Sequence, residues 1–253
     1  MASAAEERRG EGLRRAVAAS LMIMVFHKER EGNAMSNFTI DHGTVDGQTI
    51  AQWTQDWWTW ALNLPVKDSA PGASNPFQDP SGGSASAGQS GPVFFLQSNT
   101  SQDNVYVPSG IHHFLVPLVN FVDTAPEFTP PQSKGPVSGA NSIHSTEAHN
   151  IKSFDDSVIV TSLFATVDGV AVPDLSSHLV DSSFFDPGIA QPNTLATDLF
   201  QVAPPNVSMA PAKSGGYWLM LDLPSGTHTL TFGGDATAFG GISHNVTDTI
   251  HVG

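Results

Sequence analysis

Short hydrophobic runs separated by turn residues dominate the chain from about its first third onward. Residues 93–96, 105–107 and 111–121 are rich in Val, Ile, Leu and Phe, and polar or Pro/Gly breaks bound each run. Runs of this length and composition are typical of buried strands. The pattern therefore predicts that the stretch 88–121 forms the centre of an antiparallel sheet.

The C-terminal half carries further strand signals of the same kind. Residues 157–167 form an apolar run, and the turn Asp168-Gly169 leads into residues 170–172, which predicts a hairpin. Residues 217–223 and 227–232 flank Pro224-Ser225-Gly226, and we predict a second hairpin there. The remaining strand predictions are residues 175–185, 195–202 and 247–252.

One segment shows helical rather than strand periodicity. Its apolar residues recur at three- and four-residue spacing, which predicts an amphipathic helix that begins near Gly47 or Thr49 and ends before Pro65. Those apolar residues are Ile50, Trp53, Trp57, Trp60, Ala61 and Leu64. The spacing predicts that three tryptophans form a buried face. Trp58 lies off that face, so we single it out as the ligand-facing tryptophan.

These elements predict a mainly all-β chain, with an antiparallel β-sandwich or jelly-roll-like domain, one Trp-rich N-terminal helix and long loops. We expect a single domain over residues 35–253. Residues 1–34 differ in composition, because an apolar run over 16–26 follows Arg14-Arg15 and precedes a charged stretch. They are read as a disordered extension or signal-like segment. An alternative is that translation starts at Met35.

The strongly acidic charge of the chain argues against some classes of binding partner. Only 13% of residues are charged, and every Arg precedes Met35. From Met35 onward four Lys stand against 17 Asp and two Glu, a net charge of −15. Such an acidic surface argues against nucleic acid and against anionic membranes. No transmembrane span is expected. The absence of cysteine excludes disulfides and thiolate chemistry.

The histidines supply most of the candidate residues for binding a ligand or a metal ion. His113 follows another histidine in a predicted strand, so the two side chains point to opposite faces, and His228 lies in the last predicted hairpin. The segment His144-x2-Glu147-x-His149 resembles a scrambled metalloprotease motif, and its three side chains are the candidate metal ligands. His149 falls roughly 140° from His144 on a helix, which argues against a zinc hydrolase. No cofactor is predicted, and calcium or a His-bound metal stays an alternative.

Several motifs resemble, in order, a family of uncharacterised, mostly bacterial proteins that look exported. They are W-x3-WW-x-W from Trp53, NPxxD from Asn75, GQxGPVxFL from Gly88, VPxG from Val107 and a C-terminal GYW…PxGxHT from Gly216. The resemblance implies export and supports the domain boundaries, and it implies no activity. Members often carry two cysteines where Ala85 and Val105 stand here, which implies the loss of one disulfide.

The sequence favours a non-catalytic, exported or surface β-sandwich protein that binds a carbohydrate, a surface partner or copies of itself. Trp58, His113 and His228 are the candidate ligand-binding residues. One alternative is a hydrolase with a loop-borne His/Asp site, although no G-x-S-x-G nucleophile motif occurs. A second alternative is a His-based metal or cofactor binder. The expected location is extracellular or at the cell surface, with the cytoplasm as the alternative.

Overall fold

Strands make up most of the structure, a computed structural model that describes residues 38–66, 74–128, 159–237 and 241–253. The strands are β1 Thr39–Ile40, β2 Thr44–Val45, β3 Gln48–Thr49, β4 Val93–Phe95, β5 Val105–Val107, β6 His113–Thr124, β7 Val160–Val167, β8 Val170–Ala171, β9 Leu179–Asp181, β10 Ala212–Asp222, β11 Gly226–Ala236 and β12 Ile242–Val252. The helices are α1 Ile50–Asn63 and α2 Ala125–Phe128, with 3-10 turns at Pro76–Gln78 and Leu175–His178 and a π-helix at Leu195–Leu199.

The first of two five-stranded sheets, here the inner sheet, has the strand order β1-β10-β6-β4, and β9 pairs with β10 beside β1. The long antiparallel pair of β6 and β10 forms the centre of this sheet. The second, the outer sheet, has the order β5-β12-β11-β7-β8. A small hairpin of β2 and β3 precedes α1.

Two of the strand pairs are parallel, which corrects the prediction of an antiparallel sheet over residues 88–121. The pairs β4–β6 and β5–β12 run in the same direction. The reason is the path of the chain: it leaves the inner sheet after β4, adds β5 to the outer sheet and returns to the inner sheet as β6. Apolar runs identify the strands but carry no information about this change of sheet.

The inner sheet is buried on both faces. One apolar cluster lies between the two sheets and includes Phe94, Phe114 and Phe232, which makes the domain a β-sandwich. A second cluster lies on the opposite face, where α1 packs on the inner sheet through Trp57 and Trp218. Burial on both faces explains why β6 reads as a nearly unbroken apolar run. The predicted mainly all-β class is confirmed.

Helix α1 is confirmed where the sequence predicts it. Thr49 is the N-cap: its Oγ1 accepts from Gln52 N, and Gln52 Oε1 accepts from Thr49 N, a capping box. The helix ends at Asn63, next to Pro65. No helix of the described residues is both long and apolar enough to cross a bilayer.

The prediction of a second hairpin is wrong. β10 pairs with β6, β9 and β1, whereas β11 pairs with β12 and β7, so the Pro224-Ser225 turn connects the two sheets. Leu223 N still donates to His112 O at 2.9 Å, which extends the inner sheet up to the turn. β10 is buried along almost its whole length, and β11 begins with alternating exposed and buried residues. The burial pattern therefore separates the sheets where the local turn signal does not. The hairpin of β7 and β8 is confirmed.

The predicted strand over 195–202 is also wrong, because a π-helix occupies Leu195–Leu199. Thr197 Oγ1 accepts from Thr194 N, and Asp198 N donates to Thr194 O, so local polar bonds close a turn. The strand predicted over 175–185 is reduced to β9, and a 3-10 turn precedes it.

Candidate ligand-binding cavity

A cavity lies where β4 stops short of covering β6. β4 pairs only with the first three residues of β6, from His113 to Leu115. Farther along β6 the consecutive residues Asn120, Phe121 and Val122 all line the cavity. Successive side chains of a strand point to opposite faces, so three consecutive lining residues place the cavity at the edge of β6 rather than over a face.

The cavity has a volume of about 400 Å³ and combines aromatic walls with a few polar groups. Its lining residues are Trp57, Trp58, Phe77, Ser98, Asn99, Asn120, Phe121, Val122, Leu199, Phe200, Val202 and His244. Asn99 and Leu199 are exposed and form the rim. The size and the mainly apolar lining are those of small-molecule sites.

The tryptophans of α1 differ in one respect that bears on this cavity. Trp53, Trp57 and Trp60 each donate the indole N–H to a backbone carbonyl, to Val45, Leu96 and Ala87 respectively, at 2.7 to 3.0 Å. Trp58 is only 6% exposed, and its Nε1 has no hydrogen-bond partner in the described part of the chain. A buried donor without a partner costs about 1–3 kcal/mol.

Asn120 is a second buried polar side chain of the cavity wall. It is 6% exposed, and its Oδ1 accepts from Ser98 Oγ at 3.3 Å. Its Nδ2 has no hydrogen-bond partner among residues 38–66, 74–128, 159–237 and 241–253. Trp58 and Asn120 are therefore two residues of the same cavity lining that each carry a buried N–H donor without a described partner.

His244 reaches the cavity from the outer sheet. Burial lowers the pKa of His244, and a hydrogen bond to the Leu118 backbone only partly opposes this effect. The ring is therefore neutral at pH 7, with one N–H and one lone pair. Nδ1 lacks a partner within the residues that the structure describes. Among the described lining residues, His244 is the one with a titratable side chain.

Polar bonds fix the loops that form the walls. Gln97 Oε1 accepts from Asn99 N and Thr100 N at 2.6 and 2.9 Å, and these bonds close the loop over residues 97–100 at the rim. Thr100 Oγ1 donates to Phe77 O, which ties that loop to the turn that carries Phe77. Gln102 Nε2 reaches the same turn at Pro76 O. The walls are therefore held in place by bonds that leave the cavity itself open.

Gln102 also connects the wall to a buried carboxyl group. Its backbone N–H donates to Asp248 Oδ1 at 2.8 Å. Asp248 is fully buried, and its Oδ2 has no partner in the described chain. Burial raises the pKa of Asp248 to about 7, against the opposing effect of the Gln102 bond.

The predicted ligand-binding residues lie in three different places. Trp58 lines the cavity, where its ring packs edge-on against Trp57 and Phe200. His113 begins β6, is half-buried, and its Nε2 lies 3.4 Å from Asp41 Oδ2. Neither His113 nor His228 is a lining residue. The structure therefore does not bring the three residues together.

His228 forms a separate polar centre, here called the His228 corner, with Asp168 and the Pro224 carbonyl. Nδ1 lies 2.8 Å from Asp168 Oδ2, and Nε2 lies 2.9 Å from Pro224 O. Thr229 N donates to Asp168 Oδ1 at 2.8 Å. Burial raises the pKa of Asp168, but the bonds from His228 and Thr229 together outweigh burial and lower it. The corner fastens the β7–β8 turn to the connection between the sheets.

The candidate metal ligands His144, Glu147 and His149 lie outside the described residues. Among the residues that are described, no group of three or more His, Asp or Glu side chains is arranged to hold a metal ion.

Sequence reasoning missed the four polar lining residues Ser98, Asn99, Asn120 and His244, of which the last two carry atoms that are unpaired in the described chain. Asn120 is a polar residue within the apolar run of β6, and a lone amide in a doubly buried strand is a signal that could have identified it. His244 carries no such signal, because it belongs to the other sheet and only the fold brings it to the cavity that Trp58 also lines. Comparison of the chain with family models, with curated proteins and with solved structures gives no match.

Proposed function

We propose that this chain is a non-catalytic binding protein that holds a small molecule in the cavity beside β6. One observation carries the proposal: Trp58 and Asn120 both line the same aromatic cavity, and each has a buried N–H donor that lacks a described protein partner. Buried polar groups are nearly always hydrogen-bonded, so two such donors at one cavity indicate a ligand that completes them.

The composition of the lining supports binding rather than hydrolysis. Among the described lining residues none is Asp, Glu, Lys or Arg, so none of them offers a carboxylate to pair with the neutral imidazole of His244. The hydrogen-bonded His–Asp pair of the described chain is the His228 corner. There Nε2 faces the Pro224 carbonyl and is not available to take a proton from a substrate.

A carbohydrate is one candidate ligand, because aromatic rings pack well on the apolar faces of sugar rings. A surface partner, self-association and an extracellular or surface location remain proposals that rest on the sequence, on its acidic, Lys-poor body and on the family resemblance.

The test is a screen of small sugars, neutral aromatic compounds, carboxylates and amines by ligand-observed NMR with the full chain. Leu199→Trp places a bulky ring at the rim, where Leu199 is 46% exposed and tolerates a larger side chain. Val207→Trp is the matched control, because Val207 is 39% exposed and does not line the cavity.

We expect compounds that bind the native chain to lose at least tenfold in affinity with Leu199→Trp and to keep it with Val207→Trp, a difference of about 1.4 kcal/mol. Equal affinity for the two variants would refute the cavity as the binding site. The absence of any binder in all four compound classes would refute the proposed function.

A further inference from the structure

The cavity limits the charge of what it can hold. No described lining residue is Asp, Glu, Lys or Arg, and burial lowers the pKa of His244, so the imidazole is neutral at pH 7. A carboxylate or phosphate would find no counter-ion among the described lining residues and would enter a chain whose residues 35–253 carry a net charge of −15. A cation would contact aromatic faces favourably. It would nevertheless leave the N–H donors of Trp58 and Asn120 without an acceptor.

The shape of the ligand follows from the walls. Five aromatic rings surround the cavity, and apolar side chains from β6 and the segment 199–202 complete it. Rings pack against rings in offset or edge-on arrangements, and five of them provide much more apolar than polar contact area. The walls therefore suit a molecule whose body is an apolar ring.

The polar atoms set what the ligand must carry. Trp58 Nε1 and Asn120 Nδ2 are both donors only, and the bond from Ser98 Oγ to Asn120 Oδ1 fixes the orientation of the amide. Both side chains are more than nine-tenths buried, and neither donor has a partner in the described chain. On the acceptor side, His244 Nδ1 is the one unpaired buried acceptor candidate among the described lining residues. A sugar brings several hydroxyl donors, and each of them needs an acceptor. A carbonyl oxygen accepts hydrogen bonds from the unpaired donors and adds no donor of its own.

We propose, on the basis of the function proposed above, that the cavity selects a neutral ring compound with an apolar body and a carbonyl oxygen that accepts from Trp58 Nε1 or Asn120 Nδ2. Trp58 and Asn120 are then the residues that determine specificity. Phe77 and Phe200 hold the ring body, and the rim at Asn99 and Leu199 is the entrance.

The test compares five probes on the full native chain by NMR titration: 1-indanone, indane, indane-1-carboxylate, 1-aminoindane and methyl β-glucoside. The first four share one bicyclic skeleton and differ in the carbonyl or the charge. We expect 1-indanone to bind about tenfold more tightly than indane, as one buried hydrogen bond allows. The two charged probes and the glucoside are expected to bind more weakly than 1-indanone.

Two variants test whether the preference for 1-indanone over indane depends on the N–H donors of Trp58 and Asn120. Trp58→Phe keeps a ring and removes the indole N–H, and Asn120→Leu removes the amide at similar volume. We expect each variant to reduce the ratio of indane to 1-indanone dissociation constants, and the double variant to bring that ratio close to one. Trp57→Phe is the control for a general loss of packing, because Trp57 Nε1 is already engaged by Leu96 O.

The outcomes separate the two proposals. Equal affinity for indane and 1-indanone, or strongest binding by a charged probe or the glucoside, overturns the ligand class and leaves a binding cavity. If the cavity binds compounds from the wider screen but none of these five probes, the proposed ligand class is again overturned and the proposed binding function stands. If no compound in either set shifts the Trp58 indole signal, the donors hold water only, and both proposals fall. The native-chain comparison needs no variant, so misfolding of a variant does not affect it.

Discussion

The His228 corner and the cavity both bury polar side chains, the His228 ring at the corner and Trp58 and Asn120 at the cavity, but in the described chain only the corner pairs them all, with the exposed carboxylate of Asp168 as one of the partners. At the corner, both ring nitrogens of His228 and both oxygens of Asp168 have partners within 2.9 Å. At the cavity, Trp58 Nε1 and Asn120 Nδ2 have none in the described chain. A satisfied buried network rigidifies a fold, whereas unsatisfied groups reduce its stability.

The comparison shows how stability and function are distributed in this sandwich. The corner fixes the connection between the sheets, so its polar groups belong to the architecture. The cavity groups reduce the stability of the empty protein, and a ligand that pairs them recovers that loss. The predictions below follow this contrast, from the largest expected effect to the smallest.

The contrast extends to two aspartates and predicts opposite pH dependences. Burial raises the pKa of Asp248 from 3.8 to about 7, so its stabilising contribution is complete below pH 3.8 and is lost as pH rises through about 7. The difference corresponds to about 4 kcal/mol between acid and pH 8. We expect Asp248→Asn to raise the free energy of unfolding at pH 8 by several kcal/mol and to abolish this pH dependence, as measured by urea titration.

Asp168 is the control for that experiment. Its pKa is lowered, so its contribution is present above its ordinary pKa of 3.8 and is lost only as pH falls below that value. Asp168→Asn should therefore lower stability above about pH 4, change it little in stronger acid, and leave the fall in stability between pH 5 and 8 that Asp248 causes in place. An Asp248→Asn variant whose stability changes between pH 5 and 8 as that of the native chain does would contradict the assignment of Asp248.

Replacing one polar residue of each region by leucine tests the comparison itself. His228→Leu removes the bonds to Asp168 and to the Pro224 carbonyl, and we expect a loss of about 2–3 kcal/mol in the free energy of unfolding. Asn120→Leu removes an amide whose Nδ2 is unpaired, and we expect a change within about 1 kcal/mol. Chemical denaturation monitored by circular dichroism provides both values. Equal losses would break the contrast between the regions.

A pair of tryptophan variants repeats the test within one helix. Trp57→Phe leaves the buried Leu96 carbonyl without its donor, and we expect it to cost about 2 kcal/mol. Trp58→Phe removes a donor that is unpaired in the empty protein, so its cost should be smaller by about 1 kcal/mol. Thermal unfolding of the two variants side by side measures the difference. A larger loss for Trp58→Phe would indicate that its N–H is paired in the absence of ligand.

Local patterns predicted those parts of the fold that local interactions determine. The spacing of the tryptophans and the Thr49 cap predict α1, and the turn at Asp168-Gly169 predicts the β7–β8 hairpin, where Asp168 adopts a φ of 53° that turn residues tolerate. The assignment of strands to sheets depends instead on distant partners. Pro224-Ser225-Gly226 has the composition of a hairpin turn, yet the strands on its two sides pair with β6 and β12.

The candidate site shows the same division. The helical spacing separates Trp58 from the three tryptophans that it assigns to the buried face, and the structure places Trp58 in the cavity wall. All four indoles are in fact buried. What distinguishes Trp58 is its unpaired Nε1, which depends on where loop carbonyls fall around the helix. Asn120 and His244 join it only because β4 is short and the outer sheet reaches the edge of β6.

The most direct test of the binding cavity is the ¹H–¹⁵N spectrum of the five indole N–H groups, recorded with and without a cavity ligand such as 1-indanone. We predict a large shift and slowed exchange for Trp58 on binding, and little change for Trp53 and Trp60. Trp218 is the internal control, because its Nε1 is also unpaired in the described chain but Trp218 does not line the cavity. A ligand that shifts Trp218 and leaves Trp58 unchanged would contradict the account.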